Sequence, residues 1–321
     1  MHRVKVVLFG ITVVALFMFS MTGCSLFGAK DAYTKDVEHR KQLERQKQKA
    51  AAATDEKAEK KIPELDAAGY ERMGDQYIRQ ENLGMAFLQY EKSIRMDPQR
   101  AGVRHKRGLL LLKRGLNEEA LAEFEKMREI DPDNPMAFEG EGRAYLAEGK
   151  LAEARKAFEE ALKMNPDLWQ SYVFIGVMED RQRRHDEAIR MYRKAIAIQP
   201  KSSAVFNNLG LSHFFKGEFE KSAEAFRLAL KLDPANQRIY NNLGVALYKL
   251  GNADQALEAF KKGTDEASAH NNMGYLQMSE GKLEEAVKSF EKAMVMKPSY
   301  YVRAHENMQR IKSASEFGGR P

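Results

Sequence analysis

The segment Val205–Pro234 reads VFNNLGLSHFFKGEFEKSAEAFRLALKLDP, and its pattern decides the fold. A glycine (Gly210), a small residue (Ser222), an aromatic residue (Phe226) and a proline (Pro234) punctuate two stretches whose apolar residues are three and four apart. This spacing is typical of two consecutive amphipathic helices. The proline ends the second helix, because it has no amide hydrogen and disfavours helical geometry in the preceding residue.

The same markers return along the chain with a period of 34 residues. The glycines are Gly74, Gly108, Gly142, Gly176, Gly210 and Gly244; the small residues are Ala86, Ala120, Ala154, Ala188, Ser222 and Ala256; the aromatic residues are Tyr90, Phe124, Phe158, Tyr192, Phe226 and Phe260; the prolines are Pro98, Pro132, Pro166, Pro200 and Pro234. This pattern resembles the tetratricopeptide repeat (TPR). The resemblance implies an all-α TPR solenoid, a right-handed superhelix of helix-turn-helix repeats that must stack to bury their apolar sides.

Seven contiguous units are predicted, and a terminal segment follows them. The units are 67–100, 101–134, 135–168, 169–202, 203–236, 237–266 and 267–300, and residues 301–321 form a C-terminal capping helix and tail. In that last segment Met308 and Ile311 share an apolar face with Ala304, opposite polar residues.

The sixth unit departs from the period. Gly244 and Gly274 are 30 residues apart, the expected proline is missing, and Gly263 stands where four other units have alanine. We expect the second helix of this unit to be shorter or frayed. Either the angle to the seventh unit changes, or the deletion lies in a tolerant surface turn.

Residues 1–23 have the layout of a secretory signal peptide, with a positive start and an apolar run shorter than the about 20 residues of a membrane-spanning helix. The ending Met21-Thr22-Gly23-Cys24 resembles the lipobox of bacterial lipoproteins. That resemblance implies a diacylglycerol on Cys24 and a further acyl chain such as palmitate. Ser25 implies sorting to the periplasmic face of the outer membrane, with the inner membrane as the alternative. An uncleaved N-terminal anchor is the other interpretation.

Residues 24–66 are predicted to be a tether between the lipidated cysteine and the repeats. They contain few large apolar residues and mix both charge signs, so they cannot bury a core of their own. A solvated spacer is favoured over a dedicated binding segment. Cys24 is the only cysteine, which excludes a disulfide framework, a thiolate metal site and a cysteine nucleophile.

Three pairs of adjacent asparagines mark a candidate groove for an extended peptide. Counted from the first residue of each unit, they occupy positions 5 and 6, which helical spacing turns toward the concave surface. An amide both donates and accepts, so a column of amides can hold a peptide backbone, as in the asparagine ladder of TPR glycosyltransferases that these pairs resemble. The predicted groove comprises Asn207, Asn208, Asn241, Asn242, Asn271 and Asn272, with Phe214, Phe215, Tyr248 and Tyr275 beside them.

A structural role for the asparagines is the competing interpretation, since asparagine at position 6 also supports the repeat itself. If they bind a partner, alanine at Asn208, Asn242 and Asn272 should abolish binding and leave thermal stability nearly unchanged. The earlier units differ: Lys106, Arg143 and other basic residues make that end of the groove partly basic.

The sequence offers no catalytic motif, metal-ligand spacing or cofactor loop, so we predict no enzyme and no cofactor. His213 falls at a packing position and is predicted to lie in the core. The formal charge of +6 does not indicate nucleic acid, because the seven units together hold 36 Lys or Arg against 35 Asp or Glu. The fourth unit is the basic exception.

A lipidated TPR array resembles the tight-adherence (Tad/Flp) pilus assembly lipoprotein and the pilotins of type IV pilus secretins. The resemblance implies a scaffold without chemistry of its own that binds a secretin or another pilus component. A polysaccharide-export scaffold and a protease adaptor are the alternatives.

Overall fold

The computed structural model describes residues 65–297, 305–309 and 311. Fourteen helices lie between residues 65 and 297. They are α1 (Ala67–Arg79), α2 (Leu83–Met96), α3 (Ala101–Lys113), α4 (Asn117–Ile130), α5 (Pro135–Ala147), α6 (Leu151–Met164), α7 (Trp169–Arg181), α8 (His185–Ile198), α9 (Ser203–Phe215), α10 (Phe219–Leu232), α11 (Gln237–Lys249), α12 (Ala253–Gly263), α13 (Glu266–Ser279) and α14 (Leu283–Met296). The described residues from 70 onward belong to one compact unit, and of the residues before it only 65–69 are described. The predicted signal peptide, Cys24 and nearly all of the tether lie outside the described residues.

Each repeat closes around one aromatic ring. A Cβ built on Gly210 would lie 2.6 Å from the ring of Phe226, so only glycine lets the two helices of this unit approach so closely. Ser222 completes the contact by donating from its hydroxyl to the carbonyl oxygen of Gly210 over 2.8 Å. The equivalent aromatic residues are all buried: Tyr90, Phe124, Phe158, Tyr192, Phe226, Phe260 and Phe290. Truncating such a ring to alanine costs about 3–5 kcal/mol, and this regular core confirms the all-α TPR solenoid.

The turn inside each unit needs a residue with positive φ. Five units supply glycine, for example Gly217 with φ 82° and Gly251 with φ 81°. The first unit places Glu81 there with φ 57°, and the fourth places Arg183 with φ 59°. A residue with a Cβ pays about 1–2 kcal/mol in this left-handed region, so these two turns are strained.

Helix α12 is shorter than the other second helices, with 11 residues instead of 14. It ends at Gly263, and Thr264 follows in extended conformation. Asp265 then caps α13 by accepting from the amide of Ser268 over 2.8 Å. An extended residue and a capped helix start therefore replace the proline-containing turn.

The described residues after the last repeat contact its second helix. Residues 305–309 are helical. Ile311 is buried against Phe290 and Ala286, and Met308 packs beside them. This contact shields the apolar side of the last repeat, which stacking would otherwise leave open.

Among the described residues, no helix has the length and apolarity that crossing a bilayer requires.

Candidate peptide-binding surface

Two of the six predicted groove asparagines bond each other inside the array. The side-chain amide of Asn242 on α11 donates to Oδ1 of Asn207 on α9 over 2.9 Å. Asn242 is buried and Asn207 is half-buried. The bond joins the first helices of the fifth and sixth units, and such a bond contributes about 1 kcal/mol of stability. These two asparagines therefore hold neighbouring units together.

Asn241 lies inside the sixth unit and not on an open groove. Its side chain is buried, and a Cβ built on Gly263 of α12 would lie 2.6 Å from its Oδ1. The asparagine thus fills the space beside the end of α12. Its Oδ1 is closed to solvent and has no hydrogen-bond partner in the described part of the chain, so a peptide in the groove cannot reach this atom.

The other three asparagines differ in access. Asn272 is buried, whereas Asn208 and Asn271 are half-buried. Oδ1 of Asn271 is closed to solvent without a partner among the described residues. Asn208 keeps partial access on α9, and its backbone carbonyl accepts from the hydroxyl of Ser212 over 3.1 Å. Of the six asparagines, Asn208 keeps the best access for a partner outside the array, and the side chain of Asn271 keeps partial access although its Oδ1 is closed.

The four predicted aromatic residues also separate by burial. Phe214 is buried and packs edge-on against Phe215 with ring centroids 5.9 Å apart. Tyr248 is buried beneath the ammonium of Lys282, which lies 5.4 Å from the centre of its ring. Burial, reinforced by the nearby Glu280 carboxylate, raises the pKa of Tyr248.

Tyr275 is half-buried, and Phe215 is the accessible ring, with 37% of its surface exposed. Phe214 and Tyr248 are therefore core residues, and Phe215 is the aromatic contact available to a partner.

His213 is buried, as its packing position predicts. Its Nδ1 lies 2.6 Å from a carboxylate oxygen of Glu218. Burial lowers the pKa of His213, although Glu218 opposes that shift. The histidine therefore joins the end of α9 to the turn that follows it.

The basic residues predicted at the N-terminal end are largely paired. Nζ of Lys106 lies 2.8 Å from Glu71 and 2.7 Å from Asp75, which belong to the preceding unit. Burial alone would raise the pKa of Glu71, but the bonds from Lys106 and Arg100 hold it below its usual range. This end of the groove is therefore a network of opposite charges and not a basic surface.

A second polar cluster joins the third and fourth units. Glu139 is 1% exposed, accepts from the hydroxyl of Ser171 over 3.1 Å, and lies 3.9 Å from Nη1 of Arg143. Burial raises the pKa of Glu139 against the effects of Ser171 and Arg143. The Arg143 guanidinium also lies 5.2 Å from the ring centre of Phe174. Burial, with Arg143 and Lys106 adding to it, lowers the pKa of His105 to about 4.

These buried carboxylates were not predicted from the sequence. Glu139 and Arg143 are four residues apart on α5, a spacing that brings side chains together on a helix and could have signalled the pair. Glu179 gave a weaker signal, since its partner Arg155 comes from α6 of the preceding unit and its partner Arg184 from the turn before α8. Long-range pairs of this kind depend on how units stack, which a period does not specify.

Comparisons with known proteins agree with the TPR fold. Residues 29–273 match the family model described as the C-terminal domain of cilia and flagella-associated protein 70, and residues 267–300 match a tetratricopeptide repeat model. A search of curated proteins gives no significant match.

Solved structures with the same fold include a TPR protein from Parabacteroides merdae, with a TM-score of 0.51 and 16% identity over 77% of this chain and 98% of that chain. PilW, described as a widely conserved type IV pilus biogenesis factor, has a TM-score of 0.55 and 18% identity over 60% of this chain and 90% of that chain. PilF of Pseudomonas aeruginosa has a TM-score of 0.52 and 21% identity over 66% of this chain and 96% of that chain. At these identities the similarity shows the fold alone.

Proposed function

The chain belongs to the family described as the C-terminal domain of cilia and flagella-associated protein 70, a TPR family. From this TPR fold we propose that the protein is a scaffold for assembly of an envelope machine such as a pilus or secretin. We propose further that it is lipid-anchored and faces the periplasm. The TPR fold is a protein–protein interaction scaffold and is typically non-enzymatic. In this proposal the first helices of the repeats bind an extended segment of a secretin or another pilus component.

The observation that carries the binding role is the partial exposure of polar and aromatic groups on the first helices of the fifth and seventh units. Asn208 and Phe215 on α9, and Asn271 and Tyr275 on α13, keep partial access, while the aromatic cores of their units are closed. A peptide lying across these helices would meet the Asn208 amide, which can donate and accept, and rings that supply apolar contact.

The membrane anchor is proposed from the sequence at Cys24, which lies outside the described residues. More than one acyl chain is needed for stable attachment, because a single myristoyl chain binds bilayers only weakly. Mass spectrometry of the N-terminal peptide should find Cys24 acylated in the native host. Cys24→Ser should move the protein from the membrane fraction to the soluble fraction, and an unmodified Cys24 would refute the anchor.

The similarity of fold to PilW favours a pilus machine as the setting. The test is a pull-down from chemically crosslinked envelopes of the native host, read by mass spectrometry. The unchanged chain is compared with the double variant Asn208→Ala/Asn271→Ala. The matched control is Asn252→Ala, because Asn252 is an exposed asparagine in a turn whose side chain makes no capping bond.

We expect the unchanged chain and Asn252→Ala to capture the same pilus or secretin component, and the double variant to lose it. Capture of a glycosyltransferase and a porin instead would indicate a scaffold for polysaccharide export. Capture of a protease instead would indicate a protease adaptor. Equal capture by all three forms would show that the amides do not bind the partner.

A further inference from the structure

The fourth and fifth units present an unusual surface at the turn between α7 and α8. Arg183 occupies the turn position with φ 59°, where five of the other units have glycine. Strained backbone persists where the surroundings hold it in place, and it is concentrated at functional sites. The fourth unit is also the most basic one, with seven Lys or Arg against four Asp or Glu.

Two arginines at the turn between α7 and α8 can bind an outside group. Arg184 bonds Glu179, and Arg190 lies 2.9 Å from Glu187. In contrast, Arg181 and Arg183 are exposed and form no ion pair within the described residues. An arginine presents planar, fixed donors that match a carboxylate, so this turn offers two unused carboxylate-binding groups.

The accessible Phe215 is joined to this turn through His185. The ring of His185 stacks on Phe215 with centroids 5.7 Å apart and planes 21° apart, and Nδ1 of His185 lies 2.9 Å from Asp180. Arg181 and Phe215 are the last residues of α7 and α9, at the same position of consecutive units. His185 comes two residues after Arg183 and its ring contacts Phe215, so this turn and the end of α9 belong to one surface. Arg181, Arg183 and Phe215 are called the Arg–Phe edge below.

We propose that the Arg–Phe edge binds a segment of a partner protein in which one aromatic or large aliphatic side chain is flanked by aspartate or glutamate. The apolar side chain would contact Phe215, and the flanking carboxylates would pair with Arg181 and Arg183. Charge complementarity favours an acidic peptide over a membrane surface. Asp186 pairs with Lys216 and Glu187 pairs with Arg190, so both charge signs surround the two arginines, and this mixture suits discrete carboxylates better than a continuous anionic lipid surface.

The inference rests on the proposed function only in that the array binds protein, and it adds the chemistry of the bound segment. The probe is a fluorescein-labelled decapeptide with one phenylalanine between aspartates and glutamates. Binding to the full chain in detergent is followed by fluorescence anisotropy. Two further decapeptides replace the phenylalanine by alanine or the acidic residues by lysine.

We expect the acidic aromatic peptide to bind at least tenfold more tightly than either altered peptide, and the binding to weaken as salt is raised. Arg181→Glu/Arg183→Glu and Phe215→Ala should each weaken it at least tenfold. The matched control is Arg227→Glu on α10, since Arg227 is exposed and also forms no ion pair in the described part of the chain. Arg227→Glu should change the affinity less than twofold.

Arg183→Gly separates binding from folding. It removes one guanidinium and relieves the strained turn, so it should weaken peptide binding while the protein unfolds at a higher temperature. Equal peptide affinity in the double-glutamate variant and in Arg227→Glu would overturn the proposal. So would binding to phosphatidylglycerol vesicles that depends on Arg181 and Arg183 in a chain that does not bind the peptide.

Crosslinked envelopes distinguish failure of this inference from failure of the proposed function. If Arg181→Glu/Arg183→Glu captures the same pilus or secretin component as the unchanged chain, the scaffold role stands and the Arg–Phe edge is not its binding surface. If the unchanged chain captures no envelope protein, the proposed function fails, and the peptide measurement still decides the chemistry of the edge.

Discussion

Replacing Gly263 by alanine should destabilise the sixth unit, although alanine is the better helix former. Gly263 is the last residue of α12, and a Cβ there would lie 2.6 Å from Oδ1 of Asn241 and 2.8 Å from the backbone carbonyl oxygen of Gln237. The carbonyl belongs to α11 and cannot rotate away. The added methyl group must therefore push α12 away from α11 or displace Asn241.

The size of the effect follows from two opposing contributions. Alanine gains about 0.5–1 kcal/mol over glycine inside a helix. Forcing an extra methyl group into a filled site costs about 1–3 kcal/mol. The difference is an expected net loss of about 0–2.5 kcal/mol in the free energy of unfolding, centred near 1 kcal/mol. Gly102 is the matched control, because a Cβ on this helical glycine meets nothing within 4 Å, so Gly102→Ala should gain about 0.5 kcal/mol.

Urea unfolding followed by far-UV circular dichroism measures both changes as shifts of the midpoint in opposite directions. Amide hydrogen exchange should locate the loss for Gly263→Ala in α11 and α12, because stability in a repeat array is a sum over neighbouring units. Adding Asn241→Ala should recover part of the loss, with a coupling of about 0.5–1.5 kcal/mol. A midpoint for Gly263→Ala at or above that of Gly102→Ala would refute the packing argument.

Three further predictions concern one hydrogen bond, two strained turns and one buried histidine. A double-mutant cycle of Asn207→Ala and Asn242→Ala, measured by urea unfolding, should give a coupling of about 1 kcal/mol, and additive losses would show that the bond between them does not stabilise the array. Glu81→Gly and Arg183→Gly should each raise the free energy of unfolding by about 0.5–1 kcal/mol, because relief of the left-handed strain exceeds the added flexibility of the unfolded chain. An unchanged or lower urea midpoint would contradict this prediction. Burial lowers the pKa of His105 from 6.5 to about 4, so as the pH falls the unfolded state takes up the proton first. The free energy of unfolding should therefore fall by about 1–3 kcal/mol as the pH drops from 6.5 to 4. His105→Leu should flatten this fall relative to the unchanged chain, and equal slopes of urea midpoint against pH would exclude the histidine as its cause.

The fold could be predicted from sequence because each repeat's core is local. The glycine, small residue and aromatic residue that meet in the fifth unit, Gly210, Ser222 and Phe226, lie within 17 consecutive residues of the chain. Their spacing alone places them on facing sides of two neighbouring helices. The same argument applies in every unit, so the period, the helix pairs and the buried rings all follow from one pattern.

The candidate groove could be predicted only in part, because helical spacing gives the direction of a side chain and not what covers it. Asn241 and Tyr248 have the direction that the period predicts for groove residues, yet they are buried. Asn241 is covered because the sixth unit has lost residues and its second helix ends at Gly263. Phe215, at the end of its helix, stays accessible.

The pairing of Asn207 with Asn242 changes which residues should be tested for binding. An amide that is already bonded inside the array must give up that bond to hold a peptide, so little net affinity is gained from it. Alanine at Asn242 would lower stability and binding together, and the result would not distinguish the two interpretations of the asparagines. The informative positions are those whose groups need not break a bond inside the array. They are Asn208 and Asn271, whose side chains keep partial access, and the Arg–Phe edge, whose two arginines have no ion pair among the described residues. A partner that depends on the edge and not on the amides would place the main binding energy at the turns of the fourth and fifth units.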